Sequence, residues 1–364
     1  MVDNGAQYNY ENKIIVFKKE TRPSQRFEIY KKYGLAVDKN FRRLKIAVCR
    51  AKRAEVFSLL NEEPWIESVE EDVSVNIQVI PESVKSYSLR GQEIPWGVQK
   101  LKAPECWQSF SGEEIRVGVI DTGVDANHPD LKDNVKELTG TYKKNLISDD
   151  NGHGSHVSGT IAALNNDIGV VGVAPGAKII SVKAFDKNGS GQLSGILEAI
   201  DWCINSKVDV INMSFGIPND SNALKRAIQE AYDSDIVLVA AAGNTGKKDG
   251  VLFPAKYEEV IAVTACDKRG TFAPFSSQGK EVDFIAPGVD VLSCYNNGGY
   301  VLMSGTSMAC PHVSGACALI LSKKRLKPTE VKEVLARTAR SLGYSKEKQG
   351  AGFIDVKKAL SLIN

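Results

Sequence analysis

A chain of 364 residues suits one large domain with a small companion, and its 43% hydrophobic and 25% charged residues are those of a globular protein, not a disordered or fibrous one. A formal net charge of only +2 implies neither nucleic acid nor an anionic membrane as partner. No apolar run reaches the ~18–20 residues needed to cross a bilayer.

Residues 1–12 are polar and lack a signal peptide's apolar core, so the chain as written is expected to be cytoplasmic, or extracellular if a signal has been removed. From residue 13 the pattern gives a strand over 13–18, a helix over 24–33, a turn at Gly34, a strand over 44–49, a helix over 53–61 and an edge strand over 65–70. This order predicts a small antiparallel sheet with two helices on one face. Beyond residue 94, runs rich in β-branched residues predict buried strands at 115–120, 178–183, 208–213, 236–242 and 260–264. Helices are predicted over 153–164, 192–205, 221–234, 307–322 and 329–342. Such alternation predicts an α/β fold, a parallel sheet with helices on both faces. Seven cysteines (Cys49, Cys106, Cys203, Cys266, Cys294, Cys310 and Cys317) lie scattered among apolar neighbours. Their odd number argues for small core residues in a reducing compartment, against a disulfide framework.

Three segments carry candidate chemistry. The strand over 115–120 runs into Asp121-Thr122-Gly123, which puts a carboxylate at the C-terminal sheet edge, where α/β folds place catalytic groups. An Asp there can equally cap the next turn. Asn151-Gly152-His153-Gly154-Ser155-His156 opens a small-residue helix with two of the four histidines. Spaced i, i+3 they could share a metal, although no cysteine pair or HExxH glutamate accompanies them. Gly305-Thr306-Ser307-Met308 turns from a glycine into an apolar helix, exposing a hydroxyl beside free first-turn amides that could stabilise an oxyanion. A neutral His153 could take the proton of Ser307 while Asp121 fixes its tautomer. Cys310, three residues on, has no histidine of its own and reads as packing.

Asp, His and Ser follow in the chain order of subtilisin itself. On these motifs the chain resembles the subtilisin-like serine proteases over nearly all of residues 94–360, with a propeptide-like segment before them. The resemblance implies that Asn244, after the apolar run 236–242, joins the Ser307 N–H in holding the oxyanion. It implies that substrate adds as a strand between Gly189-Ser190-Gly191 and Ser214-Phe215-Gly216. Phe185, Leu193, Ile196 and Phe215 would line a pocket for the fourth residue before the cut. Leu252, where relatives often have glycine, would make the primary pocket shallow. The implied enzyme is an endopeptidase of broad specificity that favours apolar or medium-sized residues before the scissile bond. Its implied metal is calcium (Ca2+), held by Gln92, Asp130, Leu164, Asn166, Ile168 and Val170 as six hard oxygen ligands. An Asn-rich surface turn is the plainer account of that loop.

The segment 13–78 resembles the family's inhibitory propeptide, a small ferredoxin-like α+β domain; an unrelated α+β domain is the alternative. The family register implies a self-inflicted first cut after Gln78, with Tyr87 as competing site and 79–92 as linker before a catalytic domain over 93–364. Expected partners are protein or peptide substrates and the chain's own propeptide, with a monomer after maturation. A masked regulator that cuts itself once would use the same residues.

Overall fold

The computed structural model describes residues 11–51, 54–80, 84–89, 91–141 and 146–363. Most of the polar tail (1–10) and parts of the 79–92 linker (81–83 and 90) lie outside them.

The first unit is β1 (Glu11–Phe17), α1 (Pro23–Lys32), β2 (Ala36–Phe41), β3 (Ile46–Ala51), α2 (Glu55–Leu60) and β4 (Ile66–Glu71). Its antiparallel sheet has the order β2-β3-β1-β4, with β4 at an edge as expected. The period of two sorts the side chains cleanly. Ile15, Phe17, Ala47 and Cys49 pack with Ile29, Phe57 and Leu60 of the two helices. Ile14, Val16, Ile46 and Val48 point the other way and share a core with the larger domain. Two expectations need correction. β2 gave no strand signal because five of its six residues are not buried and do not alternate. Leu44 and Lys45, read as strand, form the turn before β3, with Lys45 at a φ of 58°.

The chain continues through β5 (Ser74–Ile77), β6 (Lys85–Ser86), α3 (Trp96–Lys100), β7 (Arg116–Asp121), β8 (Val135–Gly140), α4 (His153–Ala162) and β9 (Lys178–Lys183). Next come β10 (Ser190–Gln192), α5 (Leu193–Asn205), β11 (Val210–Met213), β12 (Phe215–Gly216), α6 (Asn222–Asp233), β13 (Val237–Ala241) and β14 (Val260–Cys266). β15 (Phe284–Pro287), the hairpin β16 (Val291–Tyr295) and β17 (Gly299–Met303), α7 (Thr306–Lys323), α8 (Pro328–Thr338), α9 (Lys346–Gln349) and α10 (Val356–Leu362) complete it.

Seven strands form one parallel sheet in the order β15-β14-β13-β11-β7-β9-β8. Both faces are covered, which is why the strands read as unbroken apolar runs. In β13, Val237, Val239 and Ala241 join the cluster with α4, α7, α8 and α10, while Leu238 and Ala240 join that with α5 and α6. β8 and β15 escaped sequence reading. β8 is a half-exposed edge strand, and β15 has only four residues. The sheet grows to both sides of β7, so the C-terminal ends of β7 and β11 flank the switch in strand order, where such folds open a cleft.

Candidate active site

The strands β7, β11 and β13 run in register, with Ile120 beside Met213 and Met213 beside Ala240. The residues that follow therefore stand side by side at the sheet edge. Asp121, fully buried, accepts the Thr122 N–H at 2.7 Å and faces His153 Nδ1 at 2.7 Å. The other imidazole nitrogen, Nε2, is buried with no hydrogen-bond partner. Ser214 exchanges two bonds with Ser307: its hydroxyl donates to the Ser307 carbonyl at 3.1 Å, and the Ser307 hydroxyl donates to the Ser214 carbonyl at 2.8 Å. The serine hydroxyl thus rests on a carbonyl and not on the imidazole. Asn244 Oδ1 accepts from both the N–H (3.0 Å) and the hydroxyl (2.8 Å) of Thr306, which leaves its Nδ2 buried and unpaired.

Histidines 153 and 156 do not converge. His156 Nε2 binds the Val291 carbonyl at 2.9 Å, away from the Asp121 contact of His153, so the shared-metal alternative lapses. Cys310 is packing, as expected: its Sγ meets Asn212 Oδ1 at 3.2 Å, and burial pushes its thiol up to about 12. All seven cysteines are buried and unpaired.

A segment of the chain itself fills the cleft. β5 lies antiparallel between β10 and β12, pairing Asn76 with Ser190, Val75 with Gly191, Ile77 with Phe215 and Asn76 with Gly216. The Ile77 N–H donates to the Gly189 carbonyl at 3.1 Å, and the Gln78 N–H to the Ser214 carbonyl at 3.1 Å. Val75, fourth back from the Gln78–Val79 bond, is 1% exposed in the cluster that holds Phe185, Leu193, Ile196 and Phe215. At the end of the strand the Gln78 N–H donates to Ser307 Oγ at 3.1 Å, and the Ser307 N–H donates to the Gln78 carbonyl at 3.2 Å. Gly305 (φ 155°) makes this approach possible, since a Cβ there would sit 2.5 Å from the Gln78 carbonyl oxygen and 3.3 Å from Asn244 Nδ2. Leu252 occupies the space a Cβ on Gly216 or Gly243 would take, at 2.7 and 2.8 Å, and so lies between the two glycines. Tyr87 is placed elsewhere, its N–H on the Tyr300 carbonyl at 2.9 Å.

A family model, Peptidase S8 or the Subtilase family, matches residues 112–353. The chain belongs to the subtilase family. It is 45% identical to subtilisin DY of Bacillus licheniformis over 74% of this chain and 99% of that protein. It is 40% identical to subtilisin E of Bacillus subtilis over 96% of this chain and 90% of that one. The major intracellular serine protease of Bacillus subtilis is 41% identical over 76% of this chain and 92% of its own length. This subtilase is a serine endopeptidase of the subtilisin type. No helix among its described residues is long and apolar enough to cross a membrane.

Sequence reading missed two residues that brace the subtilase site. Asp149, buried, accepts the Thr122 hydroxyl (2.9 Å), the N–H groups of Asn151 (3.0 Å), Gly152 (2.7 Å) and Ser155 (2.9 Å), and the Ser155 hydroxyl (2.7 Å). It thereby anchors the turn carrying His153, and burial raises its carboxyl above the ordinary Asp range. Lys183, fully buried, donates to the Thr122 carbonyl at 2.6 Å and to Asp150 at 2.5 Å. The acidic pair just before Asn151-Gly152-His153 was the available signal. Two carboxylates of the first unit also end on helix N-termini, where backbone N–H groups lack partners. Asp72 accepts the Ser194 N–H (2.8 Å) and hydroxyl (2.6 Å) of α5; Glu70 accepts the Ser221 hydroxyl (2.6 Å) and the Ala223 N–H (3.2 Å) at α6.

Of the six expected metal ligands, three oxygens (Leu164 O, Asn166 Oδ1 and Ile168 O) surround Gln92 Nε2 at 2.9, 3.2 and 3.1 Å. Asp130 lies beside them, accepting the Asn166 amide (3.3 Å), the Val170 N–H (2.8 Å) and the Tyr300 hydroxyl (3.0 Å). An amide nitrogen has two protons for three acceptors, and turning the Gln92 amide would put a fourth oxygen in the ring. An all-oxygen set of this kind fits a calcium ion. A second group, His128, Asp130 and Cys294, offers metal-ligand atoms within 4.8 Å of one another. Its thiol does not suit calcium, and both His128 nitrogens are already bonded, to the Asp130 N–H and the Gly299 carbonyl.

Proposed function

We propose that this subtilase is a self-processing zymogen, that Asp121, His153, Ser307 and Asn244 are its catalytic residues, and that its first substrate is its own Gln78–Val79 bond. The observation that carries this reading is the two-way hydrogen bonding of Gln78 with Ser307.

His153 keeps its Nδ1 proton on Asp121, which leaves the Nε2 lone pair free as a base. Ser307 turns its hydroxyl from the Ser214 carbonyl, gives the proton to Nε2, and its Oγ attacks the Gln78 carbonyl carbon. The carbonyl electrons move onto oxygen, held by the Ser307 N–H and by the unpaired Asn244 Nδ2. The imidazolium, steadied by Asp121, passes its proton to the Val79 nitrogen as the peptide bond breaks. Water, deprotonated by His153, then releases Gln78 from the serine. Other proteins would be cut the same way after adding a strand between Gly189-Ser190-Gly191 and Ser214-Phe215-Gly216, with the Leu252 wall favouring apolar or medium-sized residues before the bond.

The β-α-β-β-α-β order of residues 11–71 supports a ferredoxin-like propeptide ending at Gln78, with 79–92 as linker and 93–364 as catalytic domain. It would act as inhibitor through β5 and its two helix caps. Gln92, Asp130, Leu164, Asn166, Ile168 and Val170 would hold calcium, which stabilises the folded state by mass action.

Intact mass and N-terminal sequencing after incubation with calcium, beside a Ser307→Ala control and with casein turnover in parallel, test the proposal. A new N-terminus at Val79 with casein digestion, both absent from the control, is the expected result. A wild-type chain that stays whole and inert would sink it.

A further inference from the structure

Two places at opposite ends of one short stretch of backbone are occupied at once. Gln78 sits on Ser307, with both of its backbone polar groups bonded there. Gln92, fourteen residues on in the sequence, sits in the oxygen ring of Leu164, Asn166 and Ile168. The neighbouring Glu93 is tied down too, its N–H on the Gly169 carbonyl at 2.7 Å. A span of that length reaches about 45–50 Å when extended, so the chain need not release one end to satisfy the other.

The described residues between the two ends follow one strand. The Ile80 N–H donates to the Ser304 carbonyl at 2.9 Å, three residues before Ser307. β6 then pairs antiparallel with β17, Lys85 opposite Leu302 and Ser86 opposite Val301. The Tyr87 N–H meets the Tyr300 carbonyl, and its hydroxyl reaches Glu93 at 3.3 Å. Tyr300 closes the path, since its hydroxyl donates to Asp130 at 3.0 Å. β17 and the Ser304 that follows it thus reach from the surroundings of the Gln78–Val79 bond to the oxygen cluster, and the described linker residues Ile80, Lys85, Ser86 and Tyr87 pair along them.

Resting on the calcium reading above, we propose that the calcium site is complete in the uncut chain, with Gln92 already a ligand while the Gln78–Val79 bond still lies on Ser307. Calcium binding then precedes the cut. The ion stabilises the precursor as well as the mature enzyme, and cleavage is not what assembles the site.

The test is calorimetric titration of CaCl2 into the full-length Ser307→Ala chain, which cannot cut itself, and into the same chain carrying Gln92→Ala. Calcium-dependent shifts in melting temperature are read in parallel to establish that both fold. A saturable calcium site in the uncut chain, weakened at least tenfold by Gln92→Ala, is the expected result. If the uncut chain binds calcium with no loss in the Gln92→Ala variant, Gln92 is not a ligand before the cut and the proposal fails. If the uncut chain does not bind, it fails as well. Titration of the self-cut wild type then separates the causes: binding there means that cleavage builds the site, and none there means that the calcium reading falls with it.

Discussion

Asn244 is held by Thr306 through one oxygen: its Oδ1 accepts both the N–H and the hydroxyl of that residue, at 3.0 and 2.8 Å. This fixes which end of the amide faces the cleft. The Nδ2 donor is left buried and unpaired, a cost of about 1–3 kcal/mol that a protein tolerates where a ligand atom later meets the donor. The Gln78 carbonyl oxygen accepts the Ser307 N–H at 3.2 Å, and a Cβ on Gly305 would stand 2.5 Å from that oxygen and 3.3 Å from Asn244 Nδ2.

Asn244→Ala should therefore lower kcat by about 10²–10³ with little change in KM, since the lost bond matters once charge develops on the oxygen. That magnitude was measured on subtilisin itself. Steady-state kinetics on a chromogenic peptide decide it, and an equal rise in KM would move Asn244 to ground-state binding.

Leu252→Ala should open the pocket between Gly216 and Gly243. The ratio of kcat/KM for phenylalanine over alanine before the scissile bond should rise about tenfold or more, the ~1–3 kcal/mol range for reshaping an apolar pocket. An unchanged ratio across a peptide series would mean that Leu252 does not bound the pocket.

Removing Glu70 and Asp72 together should loosen the first unit's hold after the cut. Each carboxylate satisfies N–H or hydroxyl groups at a helix N-terminus, and losing such a cap costs about 1 kcal/mol. The cut double variant Glu70→Ala, Asp72→Ala should show roughly 10–30-fold weaker inhibition by its own fragment. Progress curves with a slow peptide substrate would read this directly.

Burial pulls His156 down to about 3 and His312 down to about 4, from an ordinary 6.5. The unfolded chain takes up these protons near pH 6.5 while the folded chain refuses them until far lower. Stability from this source is therefore full above pH 6.5 and is lost as pH falls, by roughly 1.4 kcal/mol per pH unit for each histidine. Urea midpoints of the Ser307→Ala chain between pH 6.5 and 5 should show that slope, and His312→Asn should reduce it by about one proton. A flat profile would contradict the burial account.

Much of this protein was legible before its structure. The buried strands announced themselves because both faces of the sheet are covered, and the Asp121, His153 and Ser307 segments because strand ends and helix starts need glycine and small residues where backbone comes close. Elements with weak burial were not legible: β2 and β8 present polar residues to solvent, and the turn at Lys45 carries no glycine. Apart from the acidic pair before Asn151, nothing local marked Asp149 and Lys183 as partners, because their roles depend on groups that only folding brings near.

Periodicity and the order of apolar runs thus predicted the layered α/β fold, and the resemblance carried by the Asp121, His153 and Ser307 segments supplied the family and the candidate catalytic set. Only the tertiary structure decided that Gln78 and not Tyr87 lies on Ser307, that the serine hydroxyl rests on Ser214, and that Gln92 reaches its oxygen ring at the same time. The physical reason is distance along the chain. Local propensity acts over a few residues, whereas a hydrogen bond between Gln78 and Ser307 spans most of the sequence and depends on where whole strands come to rest.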